Sequence, residues 1–279
     1  MGKKILTIQD LSCFGQCSIT VALPVISACG IECAVLPSAV LSTHTGGFTG
    51  YTFRDLSDDL PKIKDHWIKE GIHFDAVYTG YIGSQKLIDC IEDIIKSPCC
   101  EDALRIIDPA MGDNGMLYPG FDDAYAKAVS KLCTYSDIIL PNLTEACAML
   151  GEEYVYTEDY DEVFIENVVK ELYKKTGSKV VLTGVSYEEG RTGVVVLDSG
   201  NITYYEHERV PRGSHGTGDI YSSSFVGALM RGFEIEDAAR IAADFTLGCI
   251  KKTQDYPEHW YGAIIESELP KLIEKLNGN

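Results

Sequence analysis

The sequence predicts an α/β fold in three layers, α/β/α, with a mostly parallel central sheet, an antiparallel hairpin at one edge and helices on both faces. Three observations carry this expectation. Short β-branched runs alternate with longer segments whose apolar residues recur at intervals of three and four. The alternation breaks after Thr183 into two runs spaced like a hairpin, and roughly the last 65 residues read as helices.

The strand candidates are residues 4–9, 32–37, 75–78, 104–108, 138–141 and 179–183. Between them lie helix-period stretches such as Leu87, Ile88, Ile91, Ile94 and Ile95. A repeated strand, helix, strand order closes as right-handed βαβ units. Residues 193–197 and 202–207 are joined by Asp198-Ser199-Gly200-Asn201, whose composition is that of a hairpin turn. An antiparallel edge on a parallel sheet is a common arrangement. Helices are expected over 216–232, 235–252 and 263–276, with Pro270 kinking or breaking the last.

At 279 residues the chain is near the ~250–300 residues at which one hydrophobic core stops growing, so a single domain over 1–279 is expected. Its 24 Lys+Arg against 42 Asp+Glu give a formal net charge of −18. Phosphate backbones and anionic lipid surfaces repel such a chain, which argues against nucleic-acid and membrane partners. No apolar stretch approaches the ~20 residues of a membrane span. At the N-terminus, Ile5-Leu6 after Met1-Gly2-Lys3-Lys4 is too short an apolar run for a secretion signal. Leu6 also breaks the myristoylation pattern, which needs Ser or Thr there. The ten cysteines include no pair of Cys-x-x-Cys motifs with zinc spacing, which points to free thiols in a reducing, cytoplasmic setting. The eight acids and one lysine between Glu152 and Glu171 lack ligand-like spacing and read as a solvated helix face and loop.

Three local patterns carry chemistry. Gly213-Ser214-His215-Gly216-Thr217-Gly218-Asp219 opens an apolar helix; glycines there let several backbone N–H groups aim at one point, and the helix start adds partial positive charge, which together make an anion cradle. The plain alternative is a glycine loop in which Asp219 is an ordinary N-cap. Downstream, Ser222, Ser223, Ser224, Gly227 and Ala228 keep that helix slim enough to approach a neighbour closely. Asp108-Pro109-Ala110-Met111-Gly112-Asp113 and Pro141-Asn142-Leu143-Thr144-Glu145-Ala146 both follow strand candidates, and ligands of open α/β sheets bind beyond the carboxyl ends of strands. Asp108, Asp113 and Glu145 are therefore expected to converge on a Mg²⁺, although each taken singly is an ordinary cap or turn residue. There is no Gly-x-x-x-x-Gly-Lys-Ser/Thr, no triple-glycine first turn, no Gly-x-Ser-x-Gly and no His-Glu-x-x-His. Walker ATPases, nicotinamide dehydrogenases, serine hydrolases and zinc proteases thus have no support.

Gly216-Thr217-Gly218-Asp219 at the start of a late helix resembles the signature of the ribokinase-like superfamily. The two strand-end segments resemble its vitamin kinase branch, especially the pyridoxal kinases. Ser42-Thr43-His44-Thr45-Gly46 and Thr79-Gly80-Tyr81-Ile82-Gly83-Ser84 are similar to segments that surround the pyridine ring in that family. The resemblance implies a ribokinase-like fold and transfer of the ATP γ-phosphoryl group to the 5′-hydroxyl of pyridoxal, pyridoxine or pyridoxamine. It implies Asp219 as the base, with the amides of Gly216, Thr217 and Gly218 holding the phosphoryl oxygens. It assigns Asp108, Asn142, Thr183 and Thr217 to ATP, and Asp108, Asp113 and Glu145 to Mg²⁺. It places Asp10, Ser12, Thr45 and Tyr81 around the substrate, with His44 stacking on or bonding to the ring. ATP and Mg²⁺ follow as co-substrate and metal, a monovalent cation such as K⁺ as an optional addition, and a homodimer as the assembly.

The chain departs from that pattern at one instructive place. Asp10 stands where pyridoxal kinases usually carry Ser, and a carboxylate there would favour a cationic amine or a protonated pyridine, hence pyridoxamine. His215-Gly216 also resembles the hydroxymethylpyrimidine kinases, in which Cys usually follows Gly-Thr-Gly; this chain has Asp219. A non-catalytic vitamer or nucleotide sensor on the same fold is a third reading, against which the retained Asp219 argues. Cys13 and Cys17, in the substrate loop, read as small buried side chains. His207, Arg209 and Arg212 either reach the nucleotide or belong to a surface loop.

Overall fold

A computed structural model describes residues 2–151, 154–211 and 214–278. In chain order its elements are β1 (Lys4–Ser12), α1 (Ile19–Ala28), β2 (Glu32–Leu41), β3 (Phe53–Asp55), α2 (Leu60–Lys69), β4 (Ala76–Thr79), α3 (Gln85–Ile95) and β5 (Leu104–Ile107). A short tongue, β6 (Gly112–Asp113) and β7 (Met116–Leu117), precedes α4 (Asp123–Cys133), β8 (Ile138–Ile139), α5 (Leu143–Leu150) and α6 (Glu162–Thr176). The chain continues through β9 (Lys179–Val185), β10 (Arg191–Asp198), β11 (Asn201–Glu208), α7 (Thr217–Met230), α8 (Ile235–Gln254) and α9 (Leu269–Leu276).

Nine of these strands form one sheet in the order β11-β10-β9-β8-β5-β4-β1-β2-β3. The pairs from β2 through β1, β4, β5 and β8 to β9 are all parallel. Consecutive strand residues alternate between two apolar cores. Leu6, Ile8, Val77, Ile107 and Ile139 face the layer of α2 to α6, while Ile5, Ala76, Tyr78, Ile106 and Ile138 face α1, α7, α8 and α9. That period of two, buried on both sides, is why the parallel strands read as unbroken apolar runs.

The expected hairpin is present as β10 and β11, antiparallel to each other and to β9. Its turn residues Ser199 and Gly200 both have positive φ, at 50° and 85°, as a tight primed turn requires. A second antiparallel strand, β3, covers the opposite edge; its three exposed residues Phe53-Arg54-Asp55 carry no alternation that a sequence pattern could detect. The last helix differs from expectation. Pro270 lies in the first turn of α9, which starts only at Leu269, so proline opens the helix where its missing N–H costs nothing, and does not kink a longer one.

The chain runs from β1 to β2 in one direction and then returns to place β4 on the other side of β1. This reversal leaves a crevice beyond the carboxyl ends of β1 and β4, the position at which such sheets bind ligands. On the far layer α7 packs closely against α1 and α8. A Cβ on Gly227 would lie 2.3 Å from Cys29 Sγ at the end of α1, so only glycine allows this approach. Gly227→Ala is expected to cost about 1–3 kcal/mol through overpacking, and Cys29→Ala in the same chain to recover part of it; urea unfolding of the two single variants and the double variant checks both.

Candidate active site

The carboxyl ends of the parallel strands and the start of α7 bring Asp10, Asp108 and Asp219 close enough to act on one another. Asp10 lies near the end of β1, where the pairing register with β2 shifts between Gln9 and Leu11. Such irregularities re-aim side chains at functional sites. The Asp10 carboxylate accepts the Ser12 hydroxyl at 3.0 Å and the Ser18 hydroxyl at 2.5 Å. It is only 6% exposed, and burial raises its pKa against the lowering effect of those two hydroxyls.

Asp219 stands in the first turn of α7. The helix is introduced by Gly216 at φ 76°, and no side chain caps it, so Asp219 is not an N-cap. A Cβ at Gly216 would lie 2.0 Å from the Gln16 carbonyl oxygen, which reserves this tight entry for glycine. Among the described residues no side chain caps the first-turn N–H groups of α7, and a helix start of this kind carries the partial positive charge that suits an anion. Burial pushes the Asp219 carboxyl up to about 7, and Asp108 and Asp10 push the same way, while a hydrogen bond from the Ser18 backbone opposes them. A carboxylate of that strength is suited to proton transfer near neutral pH.

Asp108 follows β5, its backbone N–H bonded to the Thr79 carbonyl. Ser222, one turn into α7, donates to Asp108 Oδ2 at 2.7 Å. The slim serine face of α7 thus also holds an acid of the opposite wall. Glu145 closes a capping box with Asn142: Asn142 Oδ1 accepts from the Glu145 N–H at 3.0 Å, and Glu145 Oε2 accepts from the Asn142 N–H at 2.9 Å. Glu145 Oε1 also accepts from the Met111 N–H, and the Asn142 amide donates to the Gly112 carbonyl. Burial raises both Asp108 and Glu145, and Asp108 raises Glu145 further.

The three expected metal ligands do not form one cluster. Asp113 is exposed on the tongue, where its carboxylate accepts the backbone N–H and the amide of Asn114. It faces a cleft of ≈ 390 Å³ lined by Ser214, His215, Thr253, Gln254, His259 and Trp260. Among the described residues no three acidic, histidine or cysteine side chains are grouped to hold a metal; the pair Asp108 and Glu145 is what remains. Asn142 and Thr183 sit side by side as a bridge between the ends of β8 and β9, with the Asn142 amide engaged in holding the tongue.

On the substrate side, His44 is buried with both ring nitrogens in use. Nδ1 accepts from the Gly46 N–H at 3.1 Å, and Nε2 contacts the Tyr261 carbonyl oxygen at 2.7 Å as donor. Both nitrogens are therefore taken up within the protein. Burial and Asp10 push the Tyr81 hydroxyl up to about 12, and its ring packs near Phe121. Thr45 lies exposed beside them. All ten cysteines are free thiols; burial raises Cys17, with Asp219 and Asp10 adding to it, so it is no ready nucleophile. His207 bonds to the Glu208 carbonyl at the end of β11, and the Arg209 N–H to the Gly190 carbonyl. Gly213 of the glycine loop, Arg212, and Glu152 and Glu153 of the acidic stretch lie outside the described residues.

Sequence reasoning missed Ser18, Ser222 as a partner of Asp108, and the backbone of Tyr261. Ser18 carried a signal, a Ser before an apolar helix, but one that reads as a cap. The contacts of the other two depend on segments over 100 residues apart.

The chain matches the family model for phosphomethylpyrimidine kinase over residues 13–264. It is similar to a solved structure from Bacteroides thetaiotaomicron, named for phosphomethylpyrimidine kinase and determined with pyridoxal, at 36% identity and a TM-score of 0.89 over 99% of this chain and 96% of that one. The pyridoxal kinase of Lactobacillus plantarum is 32% identical, with a TM-score of 0.88 over 98% and 97% of the two chains. Pyridoxine kinase of Bacillus subtilis is 29% identical over 191 residues, 67% of each chain. With the model spanning most of the sequence and the sheet superposing on these structures nearly end to end, the chain belongs to the phosphomethylpyrimidine kinase family, in the pyridoxal kinase branch of the ribokinase-like superfamily.

Proposed function

We propose that the protein transfers the γ-phosphoryl group of ATP to the 5′-hydroxyl of a B6 vitamer: pyridoxal, pyridoxine or pyridoxamine. The observation that carries this reading is the half-buried Asp219 beside an uncapped helix start, close to the buried carboxylate of Asp10 at the carboxyl end of β1. The likeness to a pyridoxal-bound structure of the same family supports the substrate class. A sensor would have no use for a general base at the anion hole.

Asp219 accepts the hydroxyl proton as the substrate oxygen approaches the γ-phosphorus in line. The backbone amides of Gly216, Thr217 and Gly218 hold the phosphoryl oxygens as charge shifts across them. Little covalent help is needed from the protein, because phosphoryl transfer is accelerated chiefly by positioning and charge stabilisation. His44 and Tyr81 align the ring, and the walls around them exclude water.

Asp108 and Glu145 fit a Mg²⁺. They are two buried carboxylates, 7% and 3% exposed, raised by burial with no cation offsetting them, and one or two carboxylates plus substrate phosphates are what this ion takes. When bound, it would neutralise phosphate charge that the field of a −18 protein otherwise opposes. The resemblance that supports this reading also supports a homodimer and a monovalent cation such as K⁺, and the free thiols fit a reducing, cytoplasmic setting. The second reading is hydroxymethylpyrimidine or its phosphate as acceptor, favoured by the family's description and by His215 before Gly216.

Asp219→Asn should leave ATP binding largely intact while kcat on the vitamers falls by roughly 10²–10⁴. Turnover assays against the three vitamers, hydroxymethylpyrimidine and ribose check this, and unchanged turnover removes Asp219 from its role. Asp108→Ala should raise the Mg²⁺ concentration needed for half-maximal rate, and an unaltered Mg²⁺ titration would speak against the acid pair.

The raised Asp219 fixes two pH trends. As base it must be ionised, so kcat/KM, which reports the free enzyme, should rise with pH through about 7. For stability, the folded chain holds this proton between the ordinary carboxylate range and about 7 while the unfolded chain has lost it. Stability is therefore lost as pH rises through that window. Asp219→Asn should accordingly melt above the wild type at pH 8 and lose that advantage near pH 4, a comparison made by calorimetry without ligands.

A further inference from the structure

Ser18 has φ 54° and ψ −127°, a backbone conformation that side-chain-bearing residues avoid and that persists where function requires it. It precedes α1, yet its side chain caps nothing. Its hydroxyl is directed instead to Asp10 Oδ1 at 2.5 Å, and its backbone bonds Asp219. One strained residue thus fixes two carboxylates side by side, and one of them is the base that receives the reacting hydroxyl.

Asp10 is buried with hydroxyl donors on both oxygens, and no lysine or arginine is among the groups acting on it. The histidine near it, His44, is engaged through Nδ1 as an acceptor, an arrangement that only the neutral ring makes. An ionised carboxylate buried without a cation costs free energy that a positively charged ligand removes. Because Ser18 bonds both acids, the Asp10 and Asp219 carboxylates lie within reach of one small ligand, so a ring whose hydroxymethyl group rests on Asp219 can turn the substituent of its neighbouring carbon to Asp10.

We propose that Asp10, held by Ser18 beside Asp219, makes the acceptor site select a ring with a cationic substituent on the carbon next to the hydroxymethyl group. Among the B6 vitamers that is the aminomethyl compound, pyridoxamine. The proposal rests on the B6 kinase reading above and adds the property by which the site chooses among the three. The pair formed would be a charge-assisted hydrogen bond in a dry site, stronger than the neutral bond that pyridoxine's hydroxyl offers.

The test measures kcat/KM of the full chain with ATP and Mg²⁺ for pyridoxamine, pyridoxine, pyridoxal and hydroxymethylpyrimidine. The pyrimidine's ring amino group, at the corresponding carbon, donates hydrogen bonds without charge. Calorimetric binding of pyridoxamine and pyridoxine without ATP is the readout independent of turnover. Pyridoxamine is expected to exceed pyridoxine by about tenfold or more, equivalent to ~1.4 kcal/mol, mainly through KM. In Asp10→Asn the ratio should fall to about 1, in binding as in turnover. Ser18→Gly, which tolerates the positive φ and deletes the hydroxyl, should lower the same ratio without altering Asp10 itself. Equal use of pyridoxamine and pyridoxine by the wild type, or a ratio unchanged in Asp10→Asn, overturns the proposal while the B6 kinase reading stands. Hydroxymethylpyrimidine outperforming pyridoxamine overturns it too, since the site would then read a donor and not a charge. No turnover of any vitamer overturns the kinase reading and the proposal together.

Discussion

Buried carboxylates without cations are the constraint around which the rest of the molecule is arranged. Asp10, Asp108, Glu145 and Asp219 all carry pKa values raised by burial, so the folded chain keeps four acids in an environment that disfavours their charge. Nothing in hydrophobic packing rewards this. The sheet offsets it locally, with hydroxyls from Ser12, Ser18 and Ser222 and backbone N–H groups from Met111 and Asn142 directed at the oxygens. What these donors leave unbalanced is the free energy a metal, a phosphate-bearing nucleotide complex or a cationic substrate can recover on binding.

This arrangement accounts for features that would otherwise read as peculiarities of packing. The serines of α7 are small so that the helix can lie against the sheet, and one of them reaches the acid that follows β5. The glycine entry to α7 is forced by the Gln16 carbonyl, which belongs to the loop between β1 and α1. The segment before α9 reaches back over the same loop: the Tyr261 carbonyl accepts the Gln16 N–H and the His44 ring, and the Ala263 N–H bonds to His215. The start of α7, the loop between β1 and α1 and the C-terminal segment therefore brace one another, so a change in one is felt in the others.

The opposite wall is built differently. There the capping box of α5 does double work, because Asn142 and Glu145 close their own helix and also hold Met111 and Gly112 at the base of the tongue. Helix-cap chemistry and ligand-site chemistry use the same groups, carboxylates and amides near backbone N–H donors. This overlap is why single residues in such motifs are ambiguous when read alone.

Much of the architecture was legible in the sequence because its signals are local. Period-two and period-3.6 apolar spacing, Ser199-Gly200 in a turn and glycine before Asp219 are each set within a few residues, and the parallel sheet, the hairpin and the helix opening on the anion cradle followed from them. Edge strand β3 and the late start of α9 did not follow, since the first is defined only by its pairing with β2 and the second by where a proline is tolerated. Asp108 was readable as a strand end and Asp219 as part of a helix start, whereas Asp10 was named only through the family resemblance; that the three lie close enough to act on one another is a result of the fold. That Asp113 turns away to Asn114, that Glu145 completes a cap, and that Ser18 adopts a strained backbone to hold two carboxylates were settled by tertiary structure alone. The bonds of Asp113 to Asn114 and of Glu145 to Asn142 are local, and there the fold decided only which way each acid faces; the contacts of Ser18 with Asp10 and Asp219, and of Glu145 with Met111, join segments that residue order does not place within hydrogen-bonding distance.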